Sequence, residues 1–476
     1  MIIQIHLTSL SSDLEMDIIG LIKSGSIKAA LEGQDHSADI VPLSERRSAL
    51  TLGLLWVTMV TGFPTVFAGF QWYKAGLTLP QVLSGIAVSC VILLLYTVPG
   101  CLLGAISGQT HCLLTRRVFG RWGTWLLSVK LALIDLVWYG LSAMFLAEGL
   151  KGLYPLPIDS MWLAAIFGLL MAVNNFFGFG GIANFARFIG APVLIAWVLI
   201  TFVKASSVCS PTAFTAPAHQ SFAQAVTLIS AFVVGYGSWG NEADYWRFGK
   251  PRLANTMIPI VVAIMIGQVL FPVTGWIMAS CTGVTEYGPA TALMNSYAFG
   301  GFAWIAACVL IITLFAVNDS GLYGAVCAVE NVRQFKRKRV VLALGIMGAL
   351  TAMWMTKCPD AFHLVVSTAC VLMPSATVIM MTEFFVLNPI LGIRNDFSKV
   401  PGVDELPAIR WAATIAYIVG STVGILTAGV VPGLQSLNIG VPALQAWLVC
   451  IIVYALLAPF EHRLYLRGKA AVESSQ

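Results

Sequence analysis

Apolar side chains run through this chain in long unbroken blocks, separated by short joints that are basic, polar or rich in Gly and Pro. A helix needs roughly 20 consecutive apolar residues to cross about 30 Å of hydrocarbon. Blocks of that length recur from residue 49 to residue 460. The strands of a membrane barrel would instead alternate in polarity. The pattern predicts an all-α integral membrane protein with twelve transmembrane helices, near 49–72, 79–107, 123–149, 161–179, 188–207, 222–242, 255–281, 300–326, 340–356, 361–387, 409–430 and 440–460. Residues 1–45 are an N-terminal extension and 461–476 a tail.

Two blocks are interrupted: TGFPTVFAG at 61–69 in the first span and GYGSWGNEAD at 235–244 in the sixth. Pro64 lacks an N–H and the clustered glycines weaken helix, so both stretches are expected to unwind. Backbone groups freed at that depth must be met by protein or line a cavity, which places a cavity between spans 1 and 6. Counting five spans from each break gives blocks 48–207 and 222–387. Five is odd, so the second block enters from the opposite face and the repeats are inverted. Residues 46–387 then form a ten-span transport core, 388–460 add two spans, and span 3 corresponds to span 8.

Charge orients the chain. Arg46 and Arg47, Arg116, Arg117 and Arg121, Arg187, Arg247, Lys250 and Arg252, RQFKRKR at 333–339, Arg394 and Lys399, and Arg463, Arg467 and Lys469 occupy alternate joints. The other joints hold only Lys74, Lys151, Lys204 and Lys357. Basic residues collect on the cytoplasmic side, so both termini are expected in the cytoplasm. The net charge of +5 is this topology signal and needs no nucleic-acid partner. With 58% hydrophobic and 10% charged residues, the partner is the lipid bilayer. The ten cysteines form no C-x-x-C and suggest neither disulfides nor zinc. The first 40 residues mix charges throughout, unlike a signal peptide, and Met16 is a second candidate start. There is no H-E-x-x-H or G-x-S-x-G, so neither an enzyme nor a cofactor is expected.

Against this background a few polar residues stand out. A carboxylate at mid-span costs about 2.5–3.5 kcal/mol and should face a cavity or a partner. Asp135 is the deepest, and Trp138 follows on the same helical face. An indole beside a carboxyl suits a flat heteroaromatic ring, stacked and held by an N–H edge; the alternative is a carboxyl satisfied by neighbouring helices. Asn318 interrupts the eighth span beside Asp319, and its amide can pair with a heterocycle edge in either sense or tie helices together. Tyr236 and Trp239 lie at the sixth-span break. Glu242 and Asp244 read as residues of its cytoplasmic end, His363 as interfacial, and FGFGG at 177–181 as a loop.

At these residues the chain resembles the nucleobase:cation symporter-1 (purine-cytosine permease) family, most of all its bacterial cytosine permease branch. The likeness spans about residues 42–460 and rests on VPLSERRS at 41–48, GLLWVTMVTGFPTVFAG, LIDLVWYGLSAMF, ADYWRFGKP, VNDSGLYG and PSATVIMMTEFF. It implies a LeuT-like fold of 5+5 inverted repeats plus two spans, importing a nucleobase or related flat heterocycle by alternating access. A carrier of an amino acid, hydantoin, allantoin or vitamin pyrimidine on the same fold is the alternative. The resemblance implies that Trp138 stacks on the ring and Asn318 holds its edge. The family's second stacking aromatic falls on Gly235, with Tyr236 adjacent. Ser142 and Phe63 complete the candidate substrate-binding set. Sodium-coupled members carry hydroxyls where this chain has Ala316 and Val317, so no metal site is expected. Asp135, whose pKa burial would raise, becomes the candidate carrier of a coupling proton.

Overall fold

The computed structural model describes residues 35–209, 218–333, 335–358 and 361–473; the candidate start at Met16 lies outside them. In chain order the helices are α1 (Ala49–Val60), α2 (Phe63–Lys74), α3 (Leu79–Ser107), α4 (His111–Leu153), α5 (Ser160–Leu170), α6 (Gly178–Phe185), α7 (Ala191–Val208), α8 (Phe222–Gly237), α9 (Glu242–Trp246), α10 (Leu253–Ile264), α11 (Phe271–Thr282), α12 (Tyr287–Phe299), α13 (Ala303–Val332), α14 (Arg337–Met355), α15 (Ala361–Met381), α16 (Trp411–Thr427) and α17 (Pro442–Glu473). Among the described residues, nine helical runs are long and apolar enough to cross a membrane, or ten if α1 and α2, bent by 43°, count as one span. The seventeen-residue α16 is a shorter apolar helix over the expected eleventh span. The expected spans 4 and 5 fall in one run from Ser160 to Val208, interrupted by a 3-10 turn at Val173–Phe177 and a π-helical turn at Ala186–Gly190.

Packing follows from what each helix can bury. Leu95, Val203 and Ile390 stay exposed on outward faces, as lipid contact requires. By contrast α13 packs along α4, α8 against α3, and α11 against α2. The last pair approaches through glycines. A Cβ at Gly69 would lie 1.9 Å from the Pro272 carbonyl oxygen, and one at Gly275 1.9 Å from that of Val66. Small residues let membrane helices come this close, where dispersion replaces the missing hydrophobic drive.

Both expected breaks are present. Helix α1 stops at Val60, Gly62 takes φ +154°, and Pro64 falls in the first turn of α2, where no N–H is needed. The Thr65 hydroxyl donates to Gly62 O (2.6 Å) and accepts from Gly62 N (3.2 Å), while Gln268 Nε2 donates to the Val60 carbonyl (2.7 Å). Helix α8 ends at Gly237, and Gly240 at φ +79° turns the chain into α9. Glu242 fastens this second break: Oε1 accepts from Trp239 N (2.9 Å) and Gly240 N (3.0 Å), and Oε2 from the Tyr96 hydroxyl (2.7 Å).

Glu242 and Asp244, read as residues of the span's cytoplasmic end, are fully buried. One sequence expectation is corrected. The FGFGG stretch opens helix α6, with Gly178 at φ +63°, because only a residue without Cβ takes that entry angle cheaply.

The glycine contact gives a direct expectation. Gly69→Ala and Gly275→Ala force backbone apart and should each destabilise by about 1–3 kcal/mol, seen as a lowered thermal midpoint of the purified protein. Gly288→Ala, whose Cβ would meet only Gly152 Cα at 3.9 Å, should leave the midpoint in place.

Candidate substrate-binding site

The broken α8–α9 segment, the middle of α4, the middle of α13 and one residue of α15 enclose a cavity of about 480 Å³. Its walls are Asp135, Trp138 and Ser142 from α4; Gly235, Tyr236, Ser238 and Trp239 at the break; Val317, Asn318 and Gly321 from α13; and Met373 from α15. Six sequence candidates thus meet in one place: Asp135, Trp138, Ser142, Gly235, Tyr236 and Asn318. Phe63 does not join them; it is buried against Trp197 (6.1 Å) and Tyr287 (4.9 Å between ring centroids). Trp239, noted at the break but not ranked as a contact, brings a buried indole N–H without a protein partner among the described residues. Met373 and Gly321 carry no sequence signal, since apolar and small residues are everywhere in these spans.

The polar groups have a fixed sense. Asn318 Nδ2 donates to the Tyr139 carbonyl (3.2 Å) and to Met171 Sδ (2.9 Å). A carbonyl accepts only from the amide nitrogen, so the side chain cannot be flipped, and its own oxygen remains as an acceptor. Asp135 Oδ2 is buried with no protein partner among the described residues. Asp319, next to Asn318, turns away: its Oδ2 accepts from Asn174 Nδ2 (2.7 Å) and its carbonyl from Asn175 Nδ2 (3.0 Å), which holds the 3-10 turn between α5 and α6. The rings of Trp138 and Tyr236 stand nearly perpendicular, 5.6 Å between centroids and 82° between planes. A ring lying on Trp138 would therefore meet Tyr236 edge-on. At Gly235 a Cβ would lie 2.7 Å from the Val366 carbonyl oxygen, so α15 backbone fills the room an aromatic side chain would need.

Near α1 and the π-helical turn, a Cβ at Gly190 would meet Ala316 Cβ at 2.9 Å and Thr58 Cγ2 at 3.1 Å. The hydroxyls of Thr58, Thr61 and Thr313 are donated to the carbonyls of Leu55, Val57 and Leu310. Ala316 and Val317 carry no side-chain oxygen, whereas each of these hydroxyls donates its hydrogen and keeps lone pairs as an acceptor.

One end of the helical bundle is closed by charge. Asp35, ahead of α1, accepts from Arg337, from the Tyr323 hydroxyl (2.9 Å) and from the first amide of α6 at Phe179 (3.1 Å). Arg247 reaches the same segment through the carbonyls of Asp35 (2.7 Å) and His36, and also donates to Tyr323 (2.6 Å). Burial alone would raise the Asp35 carboxyl, but Arg337, then Arg247 and the hydrogen bonds, hold it below its ordinary 3.8. At the other end a larger cavity of about 870 Å³ is lined by Gln71, Trp72, Lys74, Phe232, Phe362 and His363, among others. Phe232 links the two cavities, since it also stacks on Tyr236 (5.4 Å).

Among the described residues none of the first break lines the cavity, so the cavity expected between spans 1 and 6 lies instead among spans 3, 6, 8 and 10. A multi-span helical bundle with two broken helices and a small aromatic and acceptor-lined cavity at the second break is the architecture of a membrane transporter. The chain belongs to the family of permeases for cytosine/purines, uracil, thiamine and allantoin, which it matches over residues 40–450. It is 23% identical over 412 residues to cytosine permease of Escherichia coli O157:H7, and equally to that of strain K12, covering 84% of this chain and 91% of each relative. Among solved structures it is similar to Mhp1, a nucleobase-cation-symport-1 family transporter, in a closed conformation with bromovinylhydantoin bound (TM-score 0.70, 18% identity, 89% of this chain and 95% of that one). It also resembles a Na+-coupled sialic acid symporter in a substrate-bound outward-open state (TM-score 0.63, 13% identity, 91% and 94%). These neighbours share the fold.

Because the Asp35 carboxyl is depressed, its contribution to the charged seal persists above pH 3.8 and is lost only as the pH falls through a still lower value. Asp35→Ala should open the seal at neutral pH by removing one partner of a buried ion pair. In a variant whose sole cysteine is Cys327, buried one turn beyond Tyr323, maleimide labelling should then rise by about tenfold. Labelling of the unsubstituted Asp35 protein, normalised at each pH to the same thiol in denaturant, should stay flat from neutral pH down to about pH 5.

Proposed function

We propose that the protein is a secondary active importer of a nucleobase of the cytosine or purine type, working by alternating access and coupled to protons. The observation that carries this reading is the fixed amide of Asn318. Its carbonyl acceptor shares a cavity with the Trp138 ring and the Asp135 carboxyl, so the site suits a flat ring with an N–H or amino edge. Trp138 stacks on the ring face, Tyr236 and Trp239 bound it, and Ser142 and the Gly235 backbone shape the slot. A hydantoin or another nitrogenous ring presents a similar N–H edge and is the second reading, favoured by the likeness to Mhp1.

In this reading residues 46–387 are a transport core of two inverted repeats, 48–207 and 222–387, and 388–460 complete twelve spans. Both termini lie in the cytoplasm of a plasma (inner) membrane protein. The charged seal then closes the cytoplasmic side while the larger cavity opens outward. Methyl groups at Ala316 and Val317 favour a proton over sodium, and Asp135 carries it: protonated on loading, released after the cavity opens inward.

The test is uptake of labelled cytosine, with unlabelled competitors, into cells lacking their own nucleobase permeases, comparing sodium with choline buffer at acidic pH. Uptake should be sodium-independent and raised by acid. Asn318→Ala and Trp138→Ala should each weaken apparent affinity by about tenfold, the loss of one buried contact. Asp135→Asn should abolish pH-driven accumulation. Sodium-dependent accumulation that survives Asp135→Asn would overturn the proton reading.

A further inference from the structure

Buried polar atoms in a membrane protein ordinarily find partners, and four that find none belong to three side chains at and beside the cavity. Beside the cavity, Asp135 Oδ2, both polar atoms of Asn241, and Asp244 Oδ2 have no hydrogen-bond partner among the described residues, and all three side chains are at most 2% exposed. The Asn241 amide lies close enough to interact with the Asp244 carboxyl and the Tyr245 hydroxyl, but outside direct hydrogen-bond geometry with either. What brings the first two together is Gly324 of α13. A Cβ there would lie 2.3 Å from Asn241 Nδ2, 2.6 Å from Asp135 Oδ2 and 3.3 Å from the Tyr245 hydroxyl, so the three groups crowd against the one position that carries no side chain. Beyond Asn241, Asp244 Oδ1 accepts from the backbone N–H of His111 (2.7 Å), leaving Oδ2 unmatched, and Arg247 Nε donates to the Asp244 carbonyl (3.1 Å). Arg247 is the centre of the charged seal. The line thus runs from the cavity to the seal.

We propose that this line is a hydrated passage for the coupling proton, with Asp244 as its second station and Gly324 keeping it open. The inference rests on the reading of Asp135 as the proton carrier. Buried polar atoms without protein partners are ordinarily satisfied by water, and Asn241 offers such a water both a donor and an acceptor. The Asp135 carboxyl gives its proton to the bridging water, which passes one of its own to Asp244. Asp135 is left as the carboxylate and Asp244 as the acid, and one proton then leaves Asp244 when the seal parts. Other ionisable groups face the line: Lys130 on α4; Glu242, Tyr245 and Arg247 around α9; His111 and Cys112 at the start of α4; and Cys327 on α13. Glu242 is committed to the break by three hydrogen bonds, and Arg247 to the seal. Asp244 is therefore the remaining acid on the line with an open oxygen.

The passage predicts a separation of two activities. Counterflow exchanges substrate across the membrane without net proton release, whereas accumulation driven by a pH gradient requires it. The full chain would be reconstituted in lipid vesicles and assayed with whichever of cytosine, adenine, guanine, hypoxanthine and uracil the wild type moves best. Asp244→Asn and Gly324→Ala should each reduce pH-driven accumulation by about tenfold while leaving counterflow intact. Infrared titration of the purified protein gives a second readout. Asp244→Asn should shift the pH at which the Asp135 carboxyl band disappears, because the two sites share a proton. If both variants accumulate substrate like wild type while Asp135→Asn does not, the passage is overturned and the proton reading stands. If both variants also lose counterflow, their role is structural and the passage is overturned. If Asp135→Asn accumulates normally, or no base is moved by the wild type, the proton reading falls and takes the passage with it.

Discussion

A helix broken inside hydrocarbon releases N–H and C=O groups that lipid cannot satisfy, and this constraint organises the molecule. The two breaks are answered by different chemistry. At the first, Thr65 closes a small ring with Gly62, and Gln268 reaches across from the π-helical turn before α11 to take the Val60 carbonyl. At the second, Glu242 receives two amides of its own turn and is held in turn by Tyr96 of α3. An ionisable group at this depth is costly, and two backbone donors plus a hydroxyl are what make it tolerable. Remove the second break and the cavity loses the wall made by Gly235, Tyr236, Ser238 and Trp239.

The same logic explains why Asn318 and Asp319 adjoin. Neighbouring positions on a helix face about 100° apart, so one helical step sends one side chain to the cavity and the other to the support structure. Asn318 spends its donor on the Tyr139 carbonyl and Met171, and Asp319 ties down the 3-10 turn between α5 and α6. The pair couples the shape of the cavity wall to the wall behind it.

Much of this was legible in the sequence, for physical reasons that differ by feature. Membrane spans announce themselves because hydrocarbon tolerates few residue types, and the breaks because Pro64 and clustered glycines oppose helix. Polar residues such as Asp135, Asn318 and Tyr236 were conspicuous against an apolar background, whereas Met373 and Gly321 were camouflaged by it. Phe63 looked like a neighbour because it lies in the broken segment, but its ring turns to Trp197 and Tyr287. Burial of Glu242 and Asp244 was hidden because a carboxylate near basic residues reads as a span end. Only three-dimensional packing reveals that the nearby backbone lacks acceptors. The partner of Arg247 and Arg337 was likewise invisible, since Asp35 lies more than 200 residues away in sequence.

Asp35 is carried by a length of chain ahead of the first helix and not by a helix of the bundle. A closure held by such a segment can peel away one contact at a time, with no helix having to bend or tilt first. It also leaves the closure within reach of whatever grips the chain upstream. A bulky fusion, a tight antibody fragment or an immobilised surface attached near the amino terminus would pull on Arg247 and Arg337 directly. Where a label is attached would therefore bias which shape of the protein is captured, and a carboxy-terminal handle is the one that leaves this latch alone.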